Sequence, residues 1–214
     1  MSIGKKKAAQ CGSWRCSKKF TGTMRIHRLL PLSYANGPGR RFVIWVQGCL
    51  RQCAGCFNPG SHDRRGGYEL SVPEIIAQIP FEEASGITVS GGEPFEQPGE
   101  LAALLEEAGK RGLNRLVYTG FTYEELIGHE NRLVARCLPL IDMLIDGPYK
   151  KEEPPDMPWA GSGNQRILEL CHGEIGKKYE KKDVKAAGGI VGELIIDQSG
   201  RITATGLIDS KPFD

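Results

Sequence analysis

The chain lacks a long apolar run. No stretch approaches the about 20 consecutive apolar residues that a membrane-spanning helix needs, and the N-terminus has no apolar core of the kind a secretory signal carries. Charge of one sign is also scarce: the 214 residues sum to only +2. That charge is uneven. Residues 1–23 hold six Lys/Arg and no acid, which leaves the rest of the chain at −4, so the body is not a basic nucleic-acid surface. Cysteines number seven, an odd count, and three of them fall within eight residues. That clustering argues for a reducing compartment and a metal site rather than a disulfide framework, hence a cytoplasmic protein. Apolar content of 40% and charged content of 25% are those of an ordinary globular protein, and the length suits one domain with a full core.

The clustered cysteines are Cys49, Cys53 and Cys56, spaced Cys-x3-Cys-x2-Cys. They follow an apolar run, 42–46, that reads as a buried strand. Thiolates hold iron–sulfur clusters. A closed cluster wants four ligands, whereas three leave one iron open, as a catalytic metal site requires. A turn 35 residues beyond Cys56 stands out next. Gly91-Gly92-Glu93-Pro94 follows a short β-branched strand, 86–90. Two glycines at a strand end permit close backbone approach, and a carboxylate beside them can accept hydrogen bonds from a cationic group.

Together these motifs resemble the radical S-adenosylmethionine family. The resemblance implies a [4Fe-4S] cluster on Cys49, Cys53 and Cys56, with S-adenosylmethionine chelating the fourth iron. It also implies that Gly91, Gly92 and Glu93 contact the methionine amino group, and that one electron releases a 5′-deoxyadenosyl radical that takes a hydrogen atom from the substrate. Many members carry an aromatic just before the third cysteine. Here Gly55 holds that place and Phe57 follows, a pattern similar to the activating enzymes of anaerobic ribonucleoside-triphosphate reductase. In that narrower family the backbone at Gly55 and Phe57 would lie against the cofactor. The partner would be a large glycyl-radical enzyme, and the electron donor a flavodoxin-like or other low-potential protein.

Further stretches share that likeness: Asn36-Gly37-Pro38-Gly39 before the first core strand, Tyr118 to Thr122, Asp146-Gly147-Pro148-Tyr149, and the run from Trp159 to Arg166. The first would be a loop near the cluster. Asp146, an acid at the end of a parallel strand, is a candidate cofactor-binding residue, or else a cap for its turn. The resemblance covers roughly residues 25–170.

Helix signals alternate with the strands. Ser71 with Glu74, and Thr122 with Glu125, are capping boxes. Leu101, Leu104, Leu105 and Ala108 fall at helical spacing. Residues 131–138 are a further helical segment and 141–145 a further strand. The alternation predicts an α/β fold with a mostly parallel sheet. Five or six strands are too few to close a barrel, and the resemblance implies a partial, open TIM-like β/α barrel. Residues 173–185 read as a solvated connector and 192–207 as a C-terminal β-hairpin. Residues 1–23 read as a basic disordered arm ahead of a single domain, 24–214, with its core at 25–170 and an extension at 171–214. Met24 is a candidate natural start.

The leftover candidates have plain readings. Cys11 and Cys16 are free thiols of the arm, Cys137 a buried apolar residue, and the Cys171-His172 pair structural; His62 is not needed as a ligand. Two other functions stay open. One is a small radical S-adenosylmethionine enzyme acting on a peptide, nucleotide or other metabolite. The other is a non-catalytic zinc or iron–sulfur module closed by a fourth cysteine, which leaves Gly91-Gly92-Glu93 unexplained.

Overall fold

The computed structural model describes residues 22–180, 183, 192–196 and 202–206. The arm with Cys11 and Cys16 lies outside the described residues, apart from 22 and 23. Eight strands form one mixed sheet: β1 (Thr23–Ser33), β2 (Arg41–Val46), β3 (Tyr68–Ser71), β4 (Gly86–Gly91), β5 (Asn114–Tyr118), β6 (Met143–Asp146), β7 (Arg166–Cys171) and β8 (Glu174–Lys178). Their order across the sheet is β3-β1-β2-β4-β5-β6-β7-β8. The four central strands, β2-β4-β5-β6, are parallel. Both flanks are antiparallel. The expected mostly parallel sheet is therefore parallel only at its centre, and it stays open, with β3 and β8 as its edges.

The crossovers carry α1 (Val72–Ala77), α2 (Pro98–Lys110), α3 (Tyr123–Ile127) and α4 (Arg132–Cys137). Both expected capping boxes are formed, Ser71 with Glu74 on α1 and Thr122 with Glu125 on α3. Leu101, Leu104, Leu105 and Ala108 of α2 are all fully buried. They join Phe42, Ile44, Val46, Ile87, Val89, Val117 and Leu144 in the main core, on one face of the sheet. The alternate residues, Leu116, Met143, Ile145 and Ile167, form a smaller cluster on the other face, covered by Met157, Trp159 and Tyr179. Central strands buried on both faces explain why 42–46 is a continuous apolar run.

Arg41 interrupts that pattern, being fully buried at the start of β2. Its guanidinium donates to Thr88 Oγ1 at 2.7 Å, to the carbonyls of Pro38 and Asn114 at 3.0 Å each, and to that of Ile87. It ties together the starts of β2, β4 and β5. Burial lowers its pKa to about 10.

Strand direction sorts the loops. Ser33 pairs with Arg41, so residues 34–40 lie at the N-terminal end of the parallel strands. The loop expected near the cysteines is at the opposite end from them. The 173–185 connector begins with β8, an exposed edge strand, so its polar composition reflects exposure rather than irregularity. The predicted hairpin is present as β9 (Gly192–Ile196) and β10 (Ile202–Gly206), antiparallel, with its turn outside the described residues. It docks on the 33–36 loop. Glu193 accepts from Ser33 Oγ at 2.5 Å and Tyr34 N–H at 2.9 Å, while Asn36 Nδ2 donates to Thr205 Oγ1 at 2.8 Å. Among the described residues no helix is long and apolar enough to cross a membrane.

Candidate functional site

The cysteine loop leaves the C-terminal end of β2 and is laced at its neck. Gly48 N–H donates to the Ser61 carbonyl at 2.8 Å, and Cys49 N–H to that of His62 at 3.1 Å. His62 thus contributes its backbone. Gln47, buried below the neck, donates to the carbonyls of Gly60 at 3.0 Å and Asp63 at 2.7 Å. Inside the loop, Cys56 N–H closes a turn on the Cys53 carbonyl at 3.1 Å. Gln52 and Gly55 take positive φ, 44° and 68°, to turn the chain. Cys49 is buried and Cys53 and Cys56 are half-buried, and all three are free thiols. Burial raises the pKa of Cys49 and of Cys56; the nearby Glu93 and Glu96 carboxylates add to the effect at Cys49. Among the described residues no three His, Cys, Asp or Glu side chains are grouped as a ready metal site.

The Gly91-Gly92-Glu93 turn lies against this neck. Gly92 N–H donates to the Val46 carbonyl and Glu93 N–H to that of Gly48, both at 2.8 Å. A Cβ on Gly91 would stand 2.6 Å from Val46 N, and one on Gly92 2.1 Å from Gly48 O. The two glycines are explained by close approach, and what they approach is the protein's own cysteine loop. Glu93 points inward and is only 1% exposed. Its carboxylate accepts from Phe95 N–H at 3.1 Å, Thr119 Oγ1 at 2.9 Å and Gly120 N–H at 2.9 Å. Burial pushes its pKa up to about 7 despite these donors. Glu93 therefore fastens the end of β4 to the end of β5.

The remaining candidates surround the same edge. Gly55 packs against Lys151, and the neighbouring Phe57 is 70% exposed, meeting Tyr149 edge-on with ring centroids 5.1 Å apart. Asp146 is fully buried at the end of β6. It binds Arg166 through both oxygens and accepts from Tyr123 N–H at 2.7 Å, at the first residue of α3. The 159–166 segment braces the loop beyond Asp146: Gln165 Nε2 donates to the Gly147 carbonyl at 2.9 Å and Asn164 Nδ2 to that of Pro148 at 2.8 Å. Cys137 is buried, donates to the Pro98 and Leu133 carbonyls, and has a pKa raised to about 12 by burial. Cys171 lies exposed at the far end of β7 from Asp146.

Two further side chains that the motifs do not flag hold the loop, Glu96 from outside it and Arg51 from within it. Leu50 N–H donates to Glu96 Oε1 at 2.5 Å. The Arg51 guanidinium lies over the Phe121 ring, 4.6 Å from its centroid. Neither had a signal in the sequence beyond lying within or beside a motif.

Residues 35–168 match the family of 4Fe-4S single cluster domains. The chain is 31% identical over 151 residues to the anaerobic ribonucleoside-triphosphate reductase-activating protein of Enterobacteria phage T4, covering 67% of this chain and 93% of that one. The protein of the same description from Vibrio cholerae is 32% identical over 157 residues, covering 67% and 97%. The chain belongs to the radical S-adenosylmethionine activases. Within this activase a pyruvate formate-lyase-activating enzyme from Clostridium pasteurianum also finds a likeness, 34% identical over 115 residues, covering 49% of this chain and 48% of that one. The family span of the activase runs from the loop before β2 into β7, so it contains every site residue described above, while β8 and the β9–β10 hairpin lie beyond it. The donor set suits an iron–sulfur cluster: three unpaired thiols share one loop, laced at its neck, with no disulfide competing for them.

Proposed function

We propose that Cys49, Cys53 and Cys56 of this activase hold a [4Fe-4S] cluster by three thiolates, and that the protein generates a glycyl radical on a large partner enzyme, an anaerobic ribonucleoside-triphosphate reductase. The observation that carries this reading is the direct fastening of the cysteine loop to the Gly91-Gly92-Glu93 turn, Glu93 N–H to Gly48 carbonyl at 2.8 Å. Two motifs far apart in sequence thereby form one floor at the C-terminal edge of the sheet, where α/β folds place their sites. When bound, the cluster would pass one electron to S-adenosylmethionine, giving methionine and a 5′-deoxyadenosyl radical that takes a hydrogen atom from glycine and leaves as 5′-deoxyadenosine.

The chain's own residues hold and orient. Cys49, Cys53 and Cys56, free thiols of one loop, would hold the cluster. The backbone of Gly91 and Gly92 faces the methionine end. Glu93, whose carboxylate is occupied within the protein, sets the position of that backbone. Gly55 and Phe57 line the cofactor from the loop, and Asp146 steadies the adjoining wall through Arg166 and the start of α3. The sheet is an open relative of a β/α barrel within one domain, 24–214, and the open side admits a peptide loop. The electron comes from a flavodoxin-like or other low-potential protein, and the compartment is the cytoplasm.

The test is anaerobic. The protein is reconstituted with iron and sulfide, reduced, and given S-adenosylmethionine and a candidate reductase. Deoxyadenosine together with a glycyl radical in the electron paramagnetic resonance (EPR) spectrum is the expected result. Deoxyadenosine without that radical would move the substrate to a peptide, nucleotide or other metabolite. A fully loaded cluster that yields neither would make the protein a binding module.

A further inference from the structure

Glu96 stands outside both motifs, at the end of the short 3-10 turn Pro94–Glu96 that follows Gly91-Gly92-Glu93. One oxygen accepts from Leu50 N–H at 2.5 Å, immediately after Cys49. The other is buried with no hydrogen-bond partner. Its nearest opposite charge is Arg64 Nε at 3.7 Å, and that arginine side chain is 65% exposed while that of Glu96 is 15% exposed. The pair spans the cysteine loop, because Arg64 follows the loop's exit and its side chain packs on Gly48 at the entry. Arg25, Gln47, Gly48, Arg64, Glu96 and Gln97 line a small cavity of about 120 Å³ there.

A carboxylate oxygen that is desolvated and unbonded is poorly screened, so its charge acts strongly on neighbours. The Glu96 carboxylate is bonded to Leu50 N–H, the residue next to Cys49, so its charge stands beside the loop's first cysteine. Net charge and hydrogen bonding around the sulfurs set the reduction potential of an iron–sulfur cluster.

We infer that Glu96 is a positioning and tuning residue: its hydrogen bond to Leu50 N–H fixes the cysteine loop, and its buried charge lowers the potential of the cluster held there, with Arg64 opposing it. This rests on the three-cysteine ligation proposed above. A negative charge favours the oxidised, less negative cluster, so the loaded protein becomes a stronger reductant once reduced. At an effective dielectric near 20, a unit charge about 10 Å from a redox centre changes a one-electron equilibrium by roughly tenfold.

The experiment is an EPR-monitored redox titration of the reconstituted protein, without S-adenosylmethionine, on wild type, Glu96→Gln, Glu96→Ala and Arg64→Gln. Glu96→Gln keeps an acceptor for Leu50 N–H and removes the charge. It is expected to load wild-type iron and to show the reduced-to-oxidised ratio raised about tenfold at fixed potential, equivalent to about 59 mV for one electron. Arg64→Gln is expected to move the ratio the other way, by less, because Arg64 is exposed. Glu96→Ala should show the same upward shift and lose iron as well. A ratio within twofold of wild type in Glu96→Gln overturns the tuning role, as does loss of iron in that variant while Glu96→Ala retains it. A cluster that survives Cys53→Ala would instead refute the three-cysteine ligation, and the inference with it.

Discussion

Gly92→Ala tests the fastening of the two motifs. The φ of Gly92 does not lie in the left-handed region, so alanine suits its backbone and the effect is steric. The new Cβ would stand 2.1 Å from the Gly48 carbonyl oxygen and 2.8 Å from the carbonyl carbon. A comfortable carbon–oxygen contact needs about 3.3 Å, so the turn must retreat by roughly 1 Å. That retreat stretches the hydrogen bonds from Gly92 N–H to Val46 and from Glu93 N–H to Gly48, each 2.8 Å. Overpacking of this kind costs about 1–3 kcal/mol, and each weakened backbone bond about 0.5–1.5 kcal/mol. The sum is roughly 3 kcal/mol, or a melting point lower by about 6–12 °C for a chain of this size. The assay is thermal unfolding of the cluster-free protein under anaerobic reducing conditions, followed by cobinding of iron and sulfide. Gly112→Ala is the control, since no atom lies within 4 Å of its would-be Cβ and only its φ of +76° opposes the change. That strain costs about 1–2 kcal/mol. If Gly92→Ala melted within about 2 °C of wild type and loaded iron normally, the close approach would not be what requires the glycine.

Cys53→Ala should abolish iron loading, whereas Cys171→Ser should leave iron per protein unchanged, since Cys171 lies at the other end of β7. Glu93 gives a pH dependence. Its folded pKa of about 7 exceeds the ordinary 4.5, so the native state holds an extra proton between those values. Stability then falls as pH rises from about 4.5 to 7, by up to about 1.4 kcal/mol per pH unit, and is flat with respect to this group outside the window. Urea unfolding at stepped pH should show that slope in wild type and its loss in Glu93→Gln. Asp146→Asn should destabilise by about 3 kcal/mol, because it leaves the half-buried Arg166 without its buried partner. Glu124→Gln, at the exposed arm of the same cluster, should cost about 0.5 kcal/mol or less in the same unfolding assay.

What was legible in the sequence was mostly local. A capping box is written in four residues, so Ser71/Glu74 and Thr122/Glu125 announce their helices without reference to anything distant. The apolar spacing on α2 and the continuous run of β2 behave likewise. Strand pairing is non-local. Nothing within Tyr68–Ser71 or Glu174–Lys178 says that each will add to a sheet edge, and the mixed flanks went unread for that reason. Direction is equally hidden: the Asn36-Gly37-Pro38-Gly39 turn is plain as a turn, but only the antiparallel pairing of β1 with β2 sends it to the far end from the cysteines. Arg41 is, in sequence, a charge at the start of a strand, and its four acceptors come from segments up to 73 residues away.

The structure adds a second requirement to the site motifs. Glycines at the end of β4 suggested room for a ligand. Their Cβ positions are filled by the backbone of residues 45–48, so the pair is needed first to let β4's end sit on the cysteine loop. The glutamate that follows suggested a ligand contact as well, and its carboxylate is spent on Phe95, Thr119 and Gly120. Both facts give the motif a structural duty alongside any contact with a cofactor. A Gly-Gly-Glu run alone would make any tight turn. Joined to a cysteine loop whose Gly48 carbonyl it must bind, it admits no side chain at Gly91 or Gly92. Two motifs far apart along the chain are informative together because the neck and the turn are, in three dimensions, a single hydrogen-bonded piece.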